Sequence, residues 1–328
     1  MANTIDWGKA TQNNTNGFGK YQNTINAGII YADSYSGETT LVGTSAAFSY
    51  SKSSFHQDEA DPTPTITGTT GGTFNADAGL VFVDTGTHNS STGQIDLSAS
   101  TIDSHIITYT VGGVQSGQTI AVTASPFVDN NFSMQFDGIN GYISVTPSDN
   151  LVFGTNDFTI SMWVKRLTSG VSFPYLIDFR DSEPETTLAF YYKESDGKLE
   201  CYINGVAVIS SSSGTKSIPL NQWTHIILIR EGTNLKTFVN TELDQSVTNS
   251  SNLISTTSIN IGRRFNGVQY FEGNIDEVAI WNTALGETAI QEIYNATANN
   301  TGKVLDLNTD SGNYTSSANL QYWNRLGD

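Results

Sequence analysis

The chain has 328 residues, enough for two or three domains, because single cores seldom exceed about 250–300 residues. Only 14% of residues are charged, the formal net charge is −17, and Ser, Thr, Asn and Gly abound while Lys, Glu and Ala runs are scarce. That composition predicts an all-β protein. The acidity excludes phosphate-backbone binding, which needs clustered Lys and Arg, so no nucleic-acid partner is expected.

Residues 1–45 carry a spaced aromatic–glycine pattern. Trp7-Gly8-Lys9 recurs as Phe18-Gly19-Lys20, and Ala27-Gly28 leads into Ile29-Ile30-Tyr31. Too few apolar residues are present for an independent core, so the segment must pack on another surface. The reading is an arm for attachment or oligomerisation, with Trp7, Phe18 and Tyr31 as its contact residues; the alternative is a flexible leader. The opening Met1 to Trp7 lacks the basic start and apolar run of a secretion signal. No window approaches 18 consecutive apolar residues, so no membrane insertion is expected.

Residues 46–126 read as a small β-sandwich. Runs at 47–50, 63–66, 80–83, 93–97, 105–111 and 119–123 are separated by turn clusters such as Gly71-Gly72 and Gly112-Gly113. No Cys–Trp–Cys pattern is present, and the match is to immunoglobulin-like repeats of bacterial and phage surface proteins, whose expected role is a spacer.

Residues 128–298 form the third unit. Phe158, Ile160, Met162 and Val164 alternate with Thr159, Ser161, Trp163 and Lys165 on the opposite face. Two strands flank Ser195-Asp196-Gly197, a hairpin turn because Asp-Gly supplies positive φ. Thr224 to Arg230 is a nearly continuous apolar run, and Gly286 to Ala296 carries a helical stripe of Ala289, Ile290, Ile293 and Tyr294. The lone cysteine, Cys201, lies in a strand-like run and is expected as a packed thiol. Residues 299–328 are a polar, turn-rich tail with a late Tyr322-Trp323 pair.

Four stretches in this order carry a family resemblance. Ser133 to Ile143 (SMQFDGINGYI) resembles the opening strand of laminin-G-like, concanavalin A-type jelly rolls, and Phe158 to Val164 (FTISMWV) resembles that family's next conserved strand. Asn221 to Ile226 (NQWTHI) with Phe238-Val239-Asn240 is similar to its Trp–His strand pair, and Gly273 to Asn282 (GNIDEVAIWN) with Ala284-Leu285 to its closing strand. One departure is Asn240-Thr241, where the family has Asn-Gly. The arm and the stretch Ile107 to Gly113 resemble segments of marine phage virion proteins. The tail resembles the lead-in to a further laminin-G-like unit, or packs back on the preceding domain.

The jelly-roll resemblance implies a structural calcium ion with Asp137 and Asp276 as ligands, Ca²⁺ accepting mixed oxygen donors; the competing reading is two aspartates capping turn amides. It also implies a glycan-binding face, for which Tyr191, Tyr192, Tyr270, Arg263 and Arg264 are the candidate residues. Glucanases of this fold place carboxylates on one strand, about 5 Å apart. The nearest pattern here, Glu194 to Glu200, has Asp196-Gly197 in its middle and straddles a hairpin, so no enzyme is expected. His56, His88, His105 and His225 show no zinc or nucleophile spacing, and His225 reads as a satisfied strand histidine.

Together these features predict a bacteriophage virion structural protein at the particle surface, such as a head fibre, decoration or tail-associated protein. It would assemble in the host cytoplasm as a homo-oligomer, taken as a trimer. It would bind other virion proteins through its arm and host-surface glycans through its jelly roll. A bacterial cell-surface adhesin is the alternative, and a glycan-degrading enzyme the third reading.

Overall fold

The computed structural model describes residues 21–25, 28–32, 43–146, 151–181, 187–253, 258–299 and 302–327, the first two segments as backbone strands. The chain divides into two compact units, 1–125 and 126–328. Trp7 and Phe18 lie outside the described residues, as does the Tyr31 side chain. No helix among the described residues is long and apolar enough to cross a membrane.

In the first unit, β1 (Tyr21–Ile25) and β2 (Gly28–Ala32) form an antiparallel hairpin. Short strands follow: β3 (Phe48–Ser49), β4 (Ser54–His56), β5 (Thr65–Ile66), β6 (Thr73–Ala76), β7 (Val81–Phe82), β8 (Asn89–Ser90) and β9 (Ile95–Asp96). Two long strands, β10 (Asp103–Val111) and β11 (Val114–Thr123), complete it. A five-stranded sheet runs β4-β11-β10-β6-β8, with β3–β5 and β7–β9 as separate pairs. Gly112 and Gly113 both take positive φ, +56° and +81°, so the β10–β11 hairpin closes on two residues. The core is aromatic: Phe74 sits 5.4 Å from Phe48 and 4.6 Å from Tyr109, ring centre to ring centre.

The second unit begins with β12 (Phe127–Asp129), β13 (Met134–Asp137), β14 (Ile143–Val145), β15 (Phe158–Arg166) and β16 (Tyr175–Asp178). The middle strands are β17 (Leu188–Lys193), β18 (Lys198–Ile203), β19 (Val206–Ile209), β20 (Thr224–Glu231), β21 (Asn234–Val239) and β22 (Glu242–Thr248). It closes with β23 (Ile259–Ile261), β24 (Glu272–Trp281), α1 (Glu287–Asn299), β25 (Lys303–Leu305) and β26 (Leu320–Asn324). A seven-stranded sheet runs β13-β24-β15-β20-β21-β22 with β26 also on β24; a six-stranded sheet runs β14-β23-β16-β17-β18-β19.

The period-2 patterning decides how the two sheets meet. Phe158, Ile160, Met162 and Val164 of β15 join Ile226 and Leu228 of β20 and Phe190 and Tyr192 of β17 in one core between the sheets. The opposite face of the seven-stranded sheet is covered as well. There Ile227, Ile229, Ala279 and Trp281 pack under Ala289, Ile290, Ile293 and Ala296 of α1 and under Leu305, Leu307 and Tyr314. Each isoleucine buried in this way contributes about 1.5–3 kcal/mol. The Trp281 indole donates to the Tyr314 hydroxyl at 3.0 Å, which donates to the Leu307 carbonyl at 2.7 Å.

The tail belongs to this unit. β25 pairs with β12, and β26 pairs with the second half of β24, while β13 pairs with its first half. Two edge partners thus share one strand in tandem. The residues between them, Asp276 and Glu277, carry a β-bulge: Ser161 faces Ala279 but Trp163 faces Asp276, and Glu277 takes φ +50°. Earlier in the same strand, Gly273 comes so close to β15 that a Cβ would lie 2.2 Å from the Lys165 carbonyl.

Candidate functional site

The bulge sets the chemistry of the helix-covered face. In a regular strand, Asp276 and Glu277 would point to opposite sides. Here Ile275 and Val278 both enter the core between the sheets, and the extra residue leaves both carboxylates on the other face. The apolar patch under α1 ends at this point, and a cleft of about 460 Å³ opens beside the last turn of the helix. That is the size of a small-ligand pocket, about 300–1,000 Å³.

Four elements line the cleft: Asn130 to Ser133 ahead of β13, Trp163 and Asp276 from the sheet, Trp223 from the turn entering β20, and Tyr294, Thr297 and Ala298 from α1. Trp163 stacks on the His225 ring at 5.0 Å and on the Tyr294 ring at 5.5 Å, and those two rings lie 6.1 Å from each other, a three-ring cluster at the inner wall. Trp223 is 40% exposed and offers a ring face; the Lys165 ammonium lies 5.7 Å from its centre. The polar floor is Asp276, which accepts from Asn130 Nδ2 at 3.1 Å. Asn130 Oδ1 is buried and has no hydrogen-bond partner. An unsatisfied buried acceptor is costly, and it demands a donor from whatever fills the cleft.

Behind Trp163 lies a second polar layer around a void of about 10 Å³, the size of one water molecule. Ser161 Oγ and His225 Nε2 are 2.7 Å apart, while His225 Nδ1 is buried without a hydrogen-bond partner. His225 is therefore only half satisfied, short of the sequence expectation. Burial pushes its pKa down to about 3 and keeps it neutral. Glu277 accepts from Trp323 Nε1 at 2.6 Å and Arg325 Nε at 3.3 Å, tying β26 to the bulge. Burial, opposed by the Trp323 hydrogen bond, reinforced by the Asp276 charge and opposed by Arg325, raises Glu277 to about 7.

The glycan-face residues expected from sequence lie elsewhere, on the six-stranded sheet and the loop after β23. Tyr192 is fully buried in the core between the sheets, and Tyr191 is 6% exposed, stacked on Tyr175 at 4.6 Å. Arg263 donates twice to Asn260 Oδ1 and lies over the Tyr142 ring, Arg264 lies over the Phe265 ring, and Tyr270 is half-buried in the same loop. Beside them, Arg180 forms a two-point pair with Asp178, at 2.7 and 2.9 Å, both side chains buried. Tyr191 and Tyr192 are thus packing residues: alternation assigns a residue to a face and leaves open whether that face is covered.

The expected calcium pair is not brought together. Asp137 faces Glu272 across the β13–β24 ladder, four residues along the strand from Asp276. Its Oδ1 accepts from the backbone N–H of Ile139, Asn140 and Gly141, and those of Asn140, then Gly141 and Ile139, hold its pKa down to about 2. Among the described residues no three His, Cys, Asp or Glu side chains converge as a metal cluster.

The sequence reading missed Asn130, Trp223 and Tyr294 as site residues, and gave Asp276 a different role. One signal was available: adjacent carboxylates inside an alternating strand, Ile275-Asp276-Glu277-Val278, mark a place where the alternation breaks.

This fold is a two-sheet jelly roll with one helix on its outer face. Residues 137–291 match the family model described as the concanavalin A-like lectin/glucanases superfamily (Laminin_G_3), and they form a jelly-roll domain of that kind. A candidate carbohydrate-binding protein from Bacteroides ovatus has a similar structure at 13% identity, over 85% of this chain and 88% of that one, with a TM-score of 0.51. Domain 4 of a Geobacillus stearothermophilus GH43 arabinanase, solved with arabinotriose, is 21% identical over 50% of this chain and 78% of that one, with a TM-score of 0.39. A pentraxin from Limulus polyphemus is 15% identical over 49% of this chain and 84% of that one, with a TM-score of 0.34. None of the curated proteins matches this chain in sequence.

Proposed function

We propose that this chain is a bacteriophage virion structural protein whose jelly roll binds host-surface glycans at the Trp163–Trp223–Asp276 cleft, without turnover. The observation that carries the binding role is the cleft itself: an exposed indole beside a buried carboxylate and an unpartnered amide carbonyl. Aromatic platforms stack on the apolar faces of sugar rings, while hydroxyls supply the donors that such a floor requires. The similar Bacteroides ovatus structure, described as a candidate carbohydrate-binding protein, supports the same reading. The virion role rests on the aromatic–glycine pattern of Trp7, Phe18 and Tyr31 and its resemblance to phage virion segments. In this reading residues 1–45 dock a trimer onto the particle.

Two experiments test the two halves. Probing a glycan array with the full chain should give sugar-specific binding that Trp223→Ala removes; an array blank for the wild type would end the glycan reading. Labelling purified phage particles with antibody to the chain should decorate their surface, and labelling confined to a bacterial envelope would replace the virion role with an adhesin.

A further inference from the structure

We propose that the cleft recognises a saccharide bearing a free, protonated amino group, with the ammonium on Asp276 and Asn130 and the sugar ring against Trp223. This deepens the glycan-binding reading and rests on it. Three independent features of the cleft select for a cationic donor.

The first is the floor. Asp276 is an acceptor buried to 5% exposure; Asn130 Nδ2 donates to its Oδ2 at 3.1 Å and the Glu277 backbone N–H to its Oδ1 at 2.8 Å, and a carboxylate offers roughly four lone-pair positions. Beside it, Asn130 Oδ1 is also an acceptor, buried and unpartnered. An ammonium carries three donors and no acceptor, and its bonds to a carboxylate are about twice as strong as neutral ones. A hydroxyl can serve the same acceptors with one donor only. A carboxylate on the ligand would meet two acceptors and a like charge.

The second is the helix end. The 13-residue α1 points its C-terminal turn into the cleft, with no basic residue in that turn. Aligned peptide dipoles place about half a negative charge there, which favours a cation.

The third is the aromatic rim. Trp223 already attracts the Lys165 ammonium to 5.7 Å from its ring. The chain as a whole, at −17, draws cationic ligands and repels anionic ones.

The test is isothermal titration of the full chain at pH 6 and low salt with matched methyl pyranosides. Gluco, galacto and manno series would each be offered in the 2-amino, 2-hydroxyl and 6-carboxylate forms. In the best-bound series the amine should bind about tenfold or more tightly than the hydroxyl form, a difference of about 1.4 kcal/mol, and the carboxylate form most weakly. Asp276→Asn should erase that ranking, and Asn130→Asp, at a less buried position, should widen it. Equal binding of the three forms, or a preference for the carboxylate, would overturn the amine assignment while leaving the glycan reading intact. Binding that ignores Trp223→Ala in every form would overturn both.

Discussion

The two outward faces of the jelly roll use similar residues to opposite ends. On the six-stranded sheet, Arg180 is neutralised by Asp178 and sits 5.2 Å from the Tyr175 ring and 5.4 Å from the Phe265 ring, while Tyr191 stacks on Tyr175. Arg180 has its counter-charge and Tyr191 its ring neighbour. On the seven-stranded sheet the same classes of side chain surround a cleft with an unpartnered acceptor and an exposed indole. Aromatic and charged composition therefore does not locate a binding face. What separates the two is an unpartnered acceptor together with space for a ligand.

The comparison can be broken in four places, the largest effect first. Removing Arg180 strands the Asp178 carboxylate in a dry environment, so Arg180→Ala should destabilise the second unit by about 3–5 kcal/mol in urea unfolding. A loss below about 1 kcal/mol would show that the face is open to water.

The second concerns pH. The folded pKa of Glu277, about 7, lies above its ordinary 4.5, so the fold holds that proton more tightly than the unfolded chain. Its stabilisation is present below pH 4.5 and lost as pH rises through 7, on the order of 3 kcal/mol. His225 works the other way: its pKa falls from 6.5 to about 3, so its contribution is present above pH 6.5 and lost as pH falls toward 3. Between pH 4.5 and 6.5 the two slopes oppose and the wild-type profile should be nearly flat. Glu277→Gln should unmask the histidine, giving stability that climbs with pH across that window; an unchanged flat profile would contradict the buried pair.

Third, Trp223→Ala should change stability by no more than about 0.5 kcal/mol, as an exposed substitution does, yet weaken glycan binding about tenfold or more. Comparable losses in both would mean the indole is structural. The smallest effect is at Asp137, an exposed turn cap. Asp137→Ala should lower the melting midpoint slightly and by the same amount with calcium or with EDTA; a calcium-dependent difference would reinstate it as a ligand.

Much of the fold was legible in the sequence because it is written in local patterns. The alternation of Phe158 to Lys165 assigns both faces of β15, Asp196-Gly197 fixes the β17–β18 turn, and the stripe from Ala289 to Ile293 marks α1. The tail was ambiguous because β26 is defined by its partner: Leu320 to Asn324 becomes a strand only on the half of β24 that β13 leaves unpaired. The site was less legible still. Its centre is a bulge whose positive φ falls on Glu277, a residue type with no preference for that conformation, so nothing local announces it. Asn130 and Trp223 come to the cleft from segments 93 residues apart, and only the assembled sheet brings them together.

The most direct test of the open cleft against the closed face is a titration followed by indole N–H NMR signals, with methyl 2-amino glycosides as the probe. Trp163 and Trp223 line the cleft, whereas Trp281 is sealed beneath α1. The cleft assignment predicts that the Trp163 and Trp223 signals, with the Asn130 amide, shift together and saturate at one affinity while Trp281 stays in place. Saturable shifts confined to Arg180, Arg263 and Arg264, with Trp163 and Trp223 unmoved, would place the ligand on the tyrosine–arginine face and contradict it.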